Sequence, residues 1–422
     1  MTEISRRKYA QSAGIAIVGV AAGAAIGYGA SSLRPSVAPE RVVTQTVTAG
    51  EKTVTKTVEA GAGISAEELE KLKERAFPPA DVTPYRWKAP WLPKYFVDTR
   101  KWIREPPWVI GFTVPFMGNN WKAIYQAEVL EWAKNNPKVE EVIWIHHNND
   151  ASDQIAGIRD FVSKGVDGIV VDCASATALA GVYKEVWDAG IPLVSTTDPI
   201  DSTYYVSATV PSLEDRGYKL AKGMCELMGG RGNIIRFWGM KGASWEELNQ
   251  IGFDLALAEY PEVKTVATGV GLWDYTESKK AMRELIPALP EKIDGILSDS
   301  GQMTLGIADA LEEAGFDVSK IVMTGDPTNG NLLRAKKENL RYIAAGANVY
   351  EGREACKVLS NVLEGIPVQK NYPFECRIWG PEECKKLADP DLPRLVDMDT
   401  TFIYYEKGRK LLKDLFMALG FE

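Results

Sequence analysis

From Trp108 onward the chain alternates short apolar runs with longer amphipathic stretches. WVIGF opens the series, and a helical pattern follows from Trp121, ending at Asn135-Asn136-Pro137. EVIWIH is the next apolar run, Asp153 to Lys164 the next helical stretch, and GIVVD, a helix to Ala189 and PLVST repeat the unit. The alternation continues from Leu213 through Leu363. Strands of about four to six residues alternating with helices of about 11–17 predict parallel sheets with crossover helices. The expected class is α/β, with Rossmann-like lobes.

Before Trp108 the pattern differs. Arg6, Arg7 and Lys8 precede an uncharged apolar run from Ala13 to Ala30. That order suits an export signal or a short membrane anchor, and SRRKY is similar to a twin-arginine signal. Residues 35–63 are rich in Thr, Val, Gly and Pro and read as a flexible tether. Ser65-Ala66-Glu67-Glu68 is a capping box for a short helix, and a Pro- and Trp-rich collar follows. The expected organisation is 1–34 signal or anchor, 35–105 tether and collar, 106–208 with 347–373 lobe 1, 209–346 lobe 2, and 374–422 a C-terminal extension.

Two lobes are expected because the chain echoes itself. Val166–Pro199 parallels Ile293–Pro327: Asp167-Gly168-Ile169 matches Asp294-Gly295-Ile296, Asp172 matches Asp299, and each copy closes in Asp-Pro. Apolar runs ending in Thr197-Asp198-Pro199 and Gly325-Asp326-Pro327 put a short acceptor at a strand tip. In open parallel sheets ligands bind outside those tips, so Asp198 and Asp326 face a cleft if the lobes meet rim to rim. Both are equally readable as Asp-Pro turn starters.

Composition narrows the function. Net charge is −8, and no block of five basic residues occurs, which argues against nucleic acid. The two histidines, His146 and His147, are adjacent on a strand and so point to opposite faces. No GxxxxGK[ST], GxSxG or HExxH is present, so neither an ATPase nor an evident hydrolase is expected, and no cofactor or metal. Asp397-Met398-Asp399 reads as a solvated acidic turn. Cys376 and Cys384 either form a disulfide outside the cell or remain thiols.

The cleft candidates are aromatic and acidic. Asn119 stands at a strand-to-helix junction beside Trp121 and Lys122; Trp245 and Trp273-Asp274 stand at two more. Indole faces pack on the apolar faces of sugar rings, and carboxylates make the stronger bonds to hydroxyls. Asp299 and Ser300 end another apolar run.

Trp108 to about Pro373 resembles the ribose/galactose type of periplasmic solute-binding protein, the type-I binding fold. GFTVPFMGNNW, DQIAGIRDFVSKGVDGIVVDCASATAL, GASWEELNQIGFDLAL, DGILSDSGQMTLGIADAL and GDPTNGNLLRA follow that family's order and spacing. The resemblance implies two lobes joined by three crossing strands, placed near Ser207–Pro211, Ala344–Ala347 and after Pro373. It also implies sugar contacts at Asn119, Trp121, Thr197, Asp198, Glu247, Trp273, Ser300 and Asp326. The chain departs from the family at Thr197-Asp198, Glu247 and Asn249, where relatives carry arginine. The pocket has therefore exchanged arginines for acceptors, which favours a neutral sugar or polyol, with an amino sugar or other cationic solute as the alternative. The function implied is a monomeric, exported receptor that closes on its solute and delivers it to an ABC permease, held to the membrane by its N-terminal segment. A sensor ectodomain of the same fold is the second reading.

Overall fold

The computed structural model of the protein describes residues 42–49, 52–59, 96–290, 292–374 and 376–419. The apolar run 13–30, the helix expected after Ser65 and the collar before Phe96 lie outside the described residues. Among the described residues no helix is long and apolar enough to cross a membrane.

β1 (Val42–Ala49) and β2 (Lys52–Glu59) pair antiparallel, with Val42 opposite Glu59 and Ala49 opposite Lys52. The stretch expected as a coil is thus a hairpin at its centre. VVTQTVTA and KTVTKTVE are dominated by β-branched Val and Thr, which favour the extended chain. Two residues separate the strands, the commonest hairpin spacing.

The first lobe follows β3 (Phe96–Val97) and runs β4 (Trp108–Val114), α1 (Asn120–Lys134), β5 (Val139–His146), α2 (Ala151–Lys164), β6 (Gly168–Asp172), α3 (Ala180–Asp188), β7 (Leu193–Thr196) and β8 (Ser207–Pro211). The second runs α4 (Leu213–Leu227), β9 (Arg231–Trp238), α5 (Ser244–Glu259), β10 (Glu262–Val270), α6 (Tyr275–Leu285), β11 (Gly295–Leu297), α7 (Gly301–Glu313), β12 (Val322–Gly325), α8 (Asn329–Glu338) and β13 (Arg341–Ala345). The chain then returns to lobe 1 as α9 (Glu351–Leu363), β14 (Val368–Gln369) and β15 (Asn371–Phe374). It ends with β16 (Ile378–Trp379), α10 (Pro381–Leu387) and α11 (Glu406–Ala418).

The two sheets share one topology. Lobe 1 has the order β15-β8-β7-β6-β4-β5, parallel throughout. Lobe 2 has β10-β9-β11-β12-β13-β16, parallel except for the last pair. The echoed segments β6–α3–β7 and β11–α7–β12 occupy equivalent places. The repeat is chemical too: Asp167 accepts the N–H of Val109 at 2.8 Å, and Asp294 accepts that of Asn233 at 2.9 Å. Each aspartate ties the start of its lobe's first strand to the strand beside it. Every residue of β6 is buried, as expected for a central strand covered on both faces.

The chain passes between the sheets three times: β8 to α4, β13 to α9, and β15 to β16. These are the three crossings expected from the sequence.

The C-terminal extension joins both lobes. Trp379 pairs with Ala344 at the edge of the second sheet, and Leu412 and Phe416 of α11 are fully buried in the core that includes Tyr342 and Ile124. Glu128 of α1 accepts from the hydroxyl of Thr400 at 2.7 Å and the N–H of Thr401 at 2.8 Å. One sequence expectation fails here and one open alternative is resolved. Asp397 and Met398 are buried and Asp399 half-buried rather than solvated, because Asp397 accepts from the Thr328 hydroxyl at 2.7 Å and Asp399 from the Asn348 N–H at 2.6 Å. Cys376 and Cys384 form no disulfide; both are free and buried, Cys384 donating to the Trp379 carbonyl and Cys376 lying 3.7 Å from the Asn348 amide nitrogen.

Candidate functional site

The carboxyl ends of both sheets face one cavity. Its volume is about 80 Å³, several times the roughly 10–15 Å³ that holds a single water, so it has room for a small molecule of several heavy atoms. Lobe 1 contributes the loop after β4 (Phe116, Asn119), the first turn of α1 (Trp121, Lys122), Cys173 after β6, and Thr197 and Asp198 after β7. Lobe 2 contributes Trp245, Trp273, Asp299, Ser300, Gln302 and Asp326.

Local structure fixes each group. Asn119 is in extended conformation and accepts from the N–H of Lys122, capping α1, so Trp121 and Lys122 leave the helix at its cleft end. Trp121 donates its indole N–H to the Ala347 carbonyl at 3.1 Å, on the second crossing. Lys122 turns inward to a buried ion pair with Asp172. Thr197 and Trp273 have φ of 64° and 52°, the left-handed region that bulky and β-branched residues avoid. Such strain costs about 1–3 kcal/mol per residue and concentrates at binding sites. Gly239 makes the Trp273 pose possible, since a Cβ there would meet the indole nitrogen at 2.0 Å.

Aromatic faces line both walls. Phe116 and Trp273 lie across the cleft, parallel within 6° and 6.4 Å apart; Trp121 and Trp245 are 6.2 Å apart at 55°. The two lobe-2 indoles are held by one acceptor: Asp299 Oδ2 receives the N–H of Trp245 and of Trp273, each at 3.1 Å. Asp299 is thus the residue that aims that wall.

The electrostatics follow from burial. Arg216, fully buried in the first turn of α4, binds Asp326 at 2.6 Å, Asn249 at 2.9 Å and the carbonyls of Asp299 and Gly346 at 2.8 and 3.0 Å. Burial pushes the Asp326 carboxyl upward, and Arg216 opposes that. Burial, reinforced by nearby Asp172, pushes Asp198 up to about 8, while Lys122 and the backbone N–H of Trp245 favour its ionised form. That last contact crosses between the lobes. Burial likewise raises Asp299, opposed by Arg216 and the two indoles.

The structure brings Asn119, Trp121, Lys122, Thr197, Asp198, Trp245, Trp273, Asp299, Ser300 and Asp326 to one cavity. It does not bring Glu247 or Asp274 there. Glu247 is exposed and accepts from the Gly242 N–H at 3.1 Å; its neighbour Glu246 is the buried one, accepting from the Gly239 N–H. Adjacent helix positions differ by about 100°, so only one of two consecutive glutamates points inward. Asp274 caps α6, accepting from the N–H groups of Thr276 and Glu277. Among the described residues the cavity lining contains no arginine; Arg216, fully buried at the start of α4, acts through its contact with Asp326. Arg236 stays outside the cleft, paired with Asp254 and Gln250. Phe116, Cys173 and Gln302 line the cleft without having been singled out in the sequence.

A family model described as a periplasmic binding protein domain matches residues 110–367. A xylitol-binding protein of Mycolicibacterium smegmatis is 30% identical over 175 residues, 42% of this chain and 50% of the relative. A D-apiose import binding protein of Actinobacillus succinogenes is 29% identical over 195 residues, 44% of this chain and 63% of the relative. The chain thus spans about half to two thirds of the length of these curated relatives. The crystal structure of an ABC transporter solute binding protein from Thermobispora bispora superposes with a TM-score of 0.62 at 25% identity, covering 75% of this chain and 97% of the other.

Proposed function

The chain belongs to the periplasmic binding protein domain family, and on that footing we propose that it captures a sugar or polyol between its lobes for an ABC importer. The cavity carries the reading: four aromatic faces and several buried acceptors, drawn from both lobes, converge at the strand tips. Aromatic rings take the apolar faces of a polyhydroxylated guest, and carboxylates and amides take its hydroxyls. The names of the xylitol and apiose relatives support that chemistry. The family binds solutes rather than converting them.

Closure follows from the geometry. Because the walls come from different lobes, the guest is fully contacted only when the lobes approach, and hinge closure of this kind is general to such proteins. A Kd of ~1 μM corresponds to about −8 kcal/mol. The closed form is the shape a permease reads. Arg6, Arg7, Lys8 and the apolar run 13–30 export the chain and hold it at the outer face of the membrane, with the segment that includes β1 and β2 as spacer. Thermal unfolding with aldoses, pentitols and cyclitols tests the proposal: a cognate solute at 100 times its Kd stabilises by ~2.7 kcal/mol. No stabilisation by any member of the panel overturns it.

A further inference from the structure

The charges in the cleft do not cancel. Lys122 is committed to Asp172, and Arg216 makes its direct carboxylate contact with Asp326. Asp198 from lobe 1 and Asp299 from lobe 2 remain. In each, Oδ1 is buried without a hydrogen-bond partner, and Asp299 as a whole is 1% exposed. The second oxygen of Asp299 is occupied by the two indoles. Both residues line the cavity, together with Phe116, Trp121, Trp245 and Trp273.

Neither carboxyl has a direct ion-pair partner among the described residues, so ionising it in place is costly. A hydroxyl supplies one donor and leaves the charge uncompensated, whereas an ammonium supplies three donors and a positive charge. Aromatic faces around such a site add cation–π attraction. We propose that the solute is a polyhydroxylated amine, an amino sugar or amino polyol, whose ammonium lies between Asp198 and Asp299. The proposal rests on the sugar-or-polyol reading of the cleft and narrows it. It also gives closure a driving force, because the cation joins one carboxylate from each lobe.

Calorimetric titration of the whole protein with matched pairs at pH 6.5 tests this: D-glucosamine against D-glucose, an amino-inositol against myo-inositol, and a 1-amino-1-deoxypentitol against its pentitol. The amine of at least one pair should bind tighter by about tenfold or more. Asp198→Asn and Asp299→Asn should each bring that ratio to within about threefold, with circular dichroism confirming the fold. If a variant does not fold, the ratio in the unsubstituted protein decides. Equal or tighter binding of the neutral member in every pair that binds overturns the ammonium site and leaves the sugar-or-polyol reading standing. A ratio unmoved in two folded variants overturns the assignment to these aspartates. Binding by no member of any pair overturns both readings together.

Discussion

Asp299 and Trp273 carry the second lobe's wall jointly, since the carboxylate fixes the indole and the indole faces Phe116. Trp273→Ala removes a cavity face and one of the two donors on Asp299 Oδ2. It should weaken solute binding by ~2 kcal/mol, roughly 30-fold, measured by calorimetry with the best solute. Glu247→Gln, one residue beyond the inward-facing Glu246, should leave affinity unchanged within about threefold. A larger loss would return Glu247 to the site. A separate test concerns Asp397, whose carboxyl is pushed up to about 7 by burial and by Asp399. An unfolded aspartate titrates near 3.9. Below pH ~4 both states are protonated and the group costs nothing; between about 4 and 7 the unfolded state ionises first, so stability is lost as pH rises. Asp397→Asn keeps an acceptor for Thr328 and cannot ionise. Its melting temperature should therefore gain on that of the unsubstituted protein from pH 4 to 7 and run parallel above. Parallel curves over the whole range would contradict the assignment.

At the scale of elements, what could be read in the sequence was whatever is periodic or repeated. The alternation of apolar runs and helices set out both sheets, and the Val166–Pro199 echo set out the equivalence of β6–α3–β7 with β11–α7–β12. Strand tips therefore gave most of the cleft. The groups that escaped were decided by tertiary contacts: Arg216 lies 110 residues from the aspartate it binds, and Asp274 serves its own helix. The C-terminal extension escaped for the same reason, since Asp397 and Asp399 are polar in sequence, yet Asp397 is buried and Asp399 half-buried in place. Glu128 shows how that extension is fastened. It is 1% exposed and receives Arg353 at 2.8 Å as well as Thr400 and Thr401. Glu128→Ala leaves Arg353 and both threonines without their acceptor and should destabilise the protein by ~3 kcal/mol. Urea unfolding reads this directly, and a change below about 0.5 kcal/mol, the usual size of a surface substitution, would show the contact to be incidental.

Across the whole molecule, the lobes touch at the mouth of the cleft as well as in its depth. Asn149, in the loop after β5, places its amide nitrogen 2.7 Å from the sulfur of Met240, in the loop after β9. Contacts there exist only while the lobes are together, so this pair reports closure, with Asn149 itself part of the cavity lining and Met240 outside it. Spin labels on an Asn149→Cys/Met240→Cys protein can be placed selectively, because the five native cysteines are buried. Burial also pushes their thiols up, to about 12 for Cys225, Cys376 and Cys384, which keeps them protonated and slow to react. Without solute the label separation should be broad and long; with solute it should become short and narrow. Ligand can shift such an equilibrium only through contacts that differ between the two states, and here those contacts are the walls supplied by opposite lobes. Trp273→Ala, which removes part of one wall, should therefore require more solute to reach the short distance while leaving that distance itself unchanged. An identical distribution with and without a bound solute would mean that binding does not close the cleft, and the permease would then have no closed shape to read.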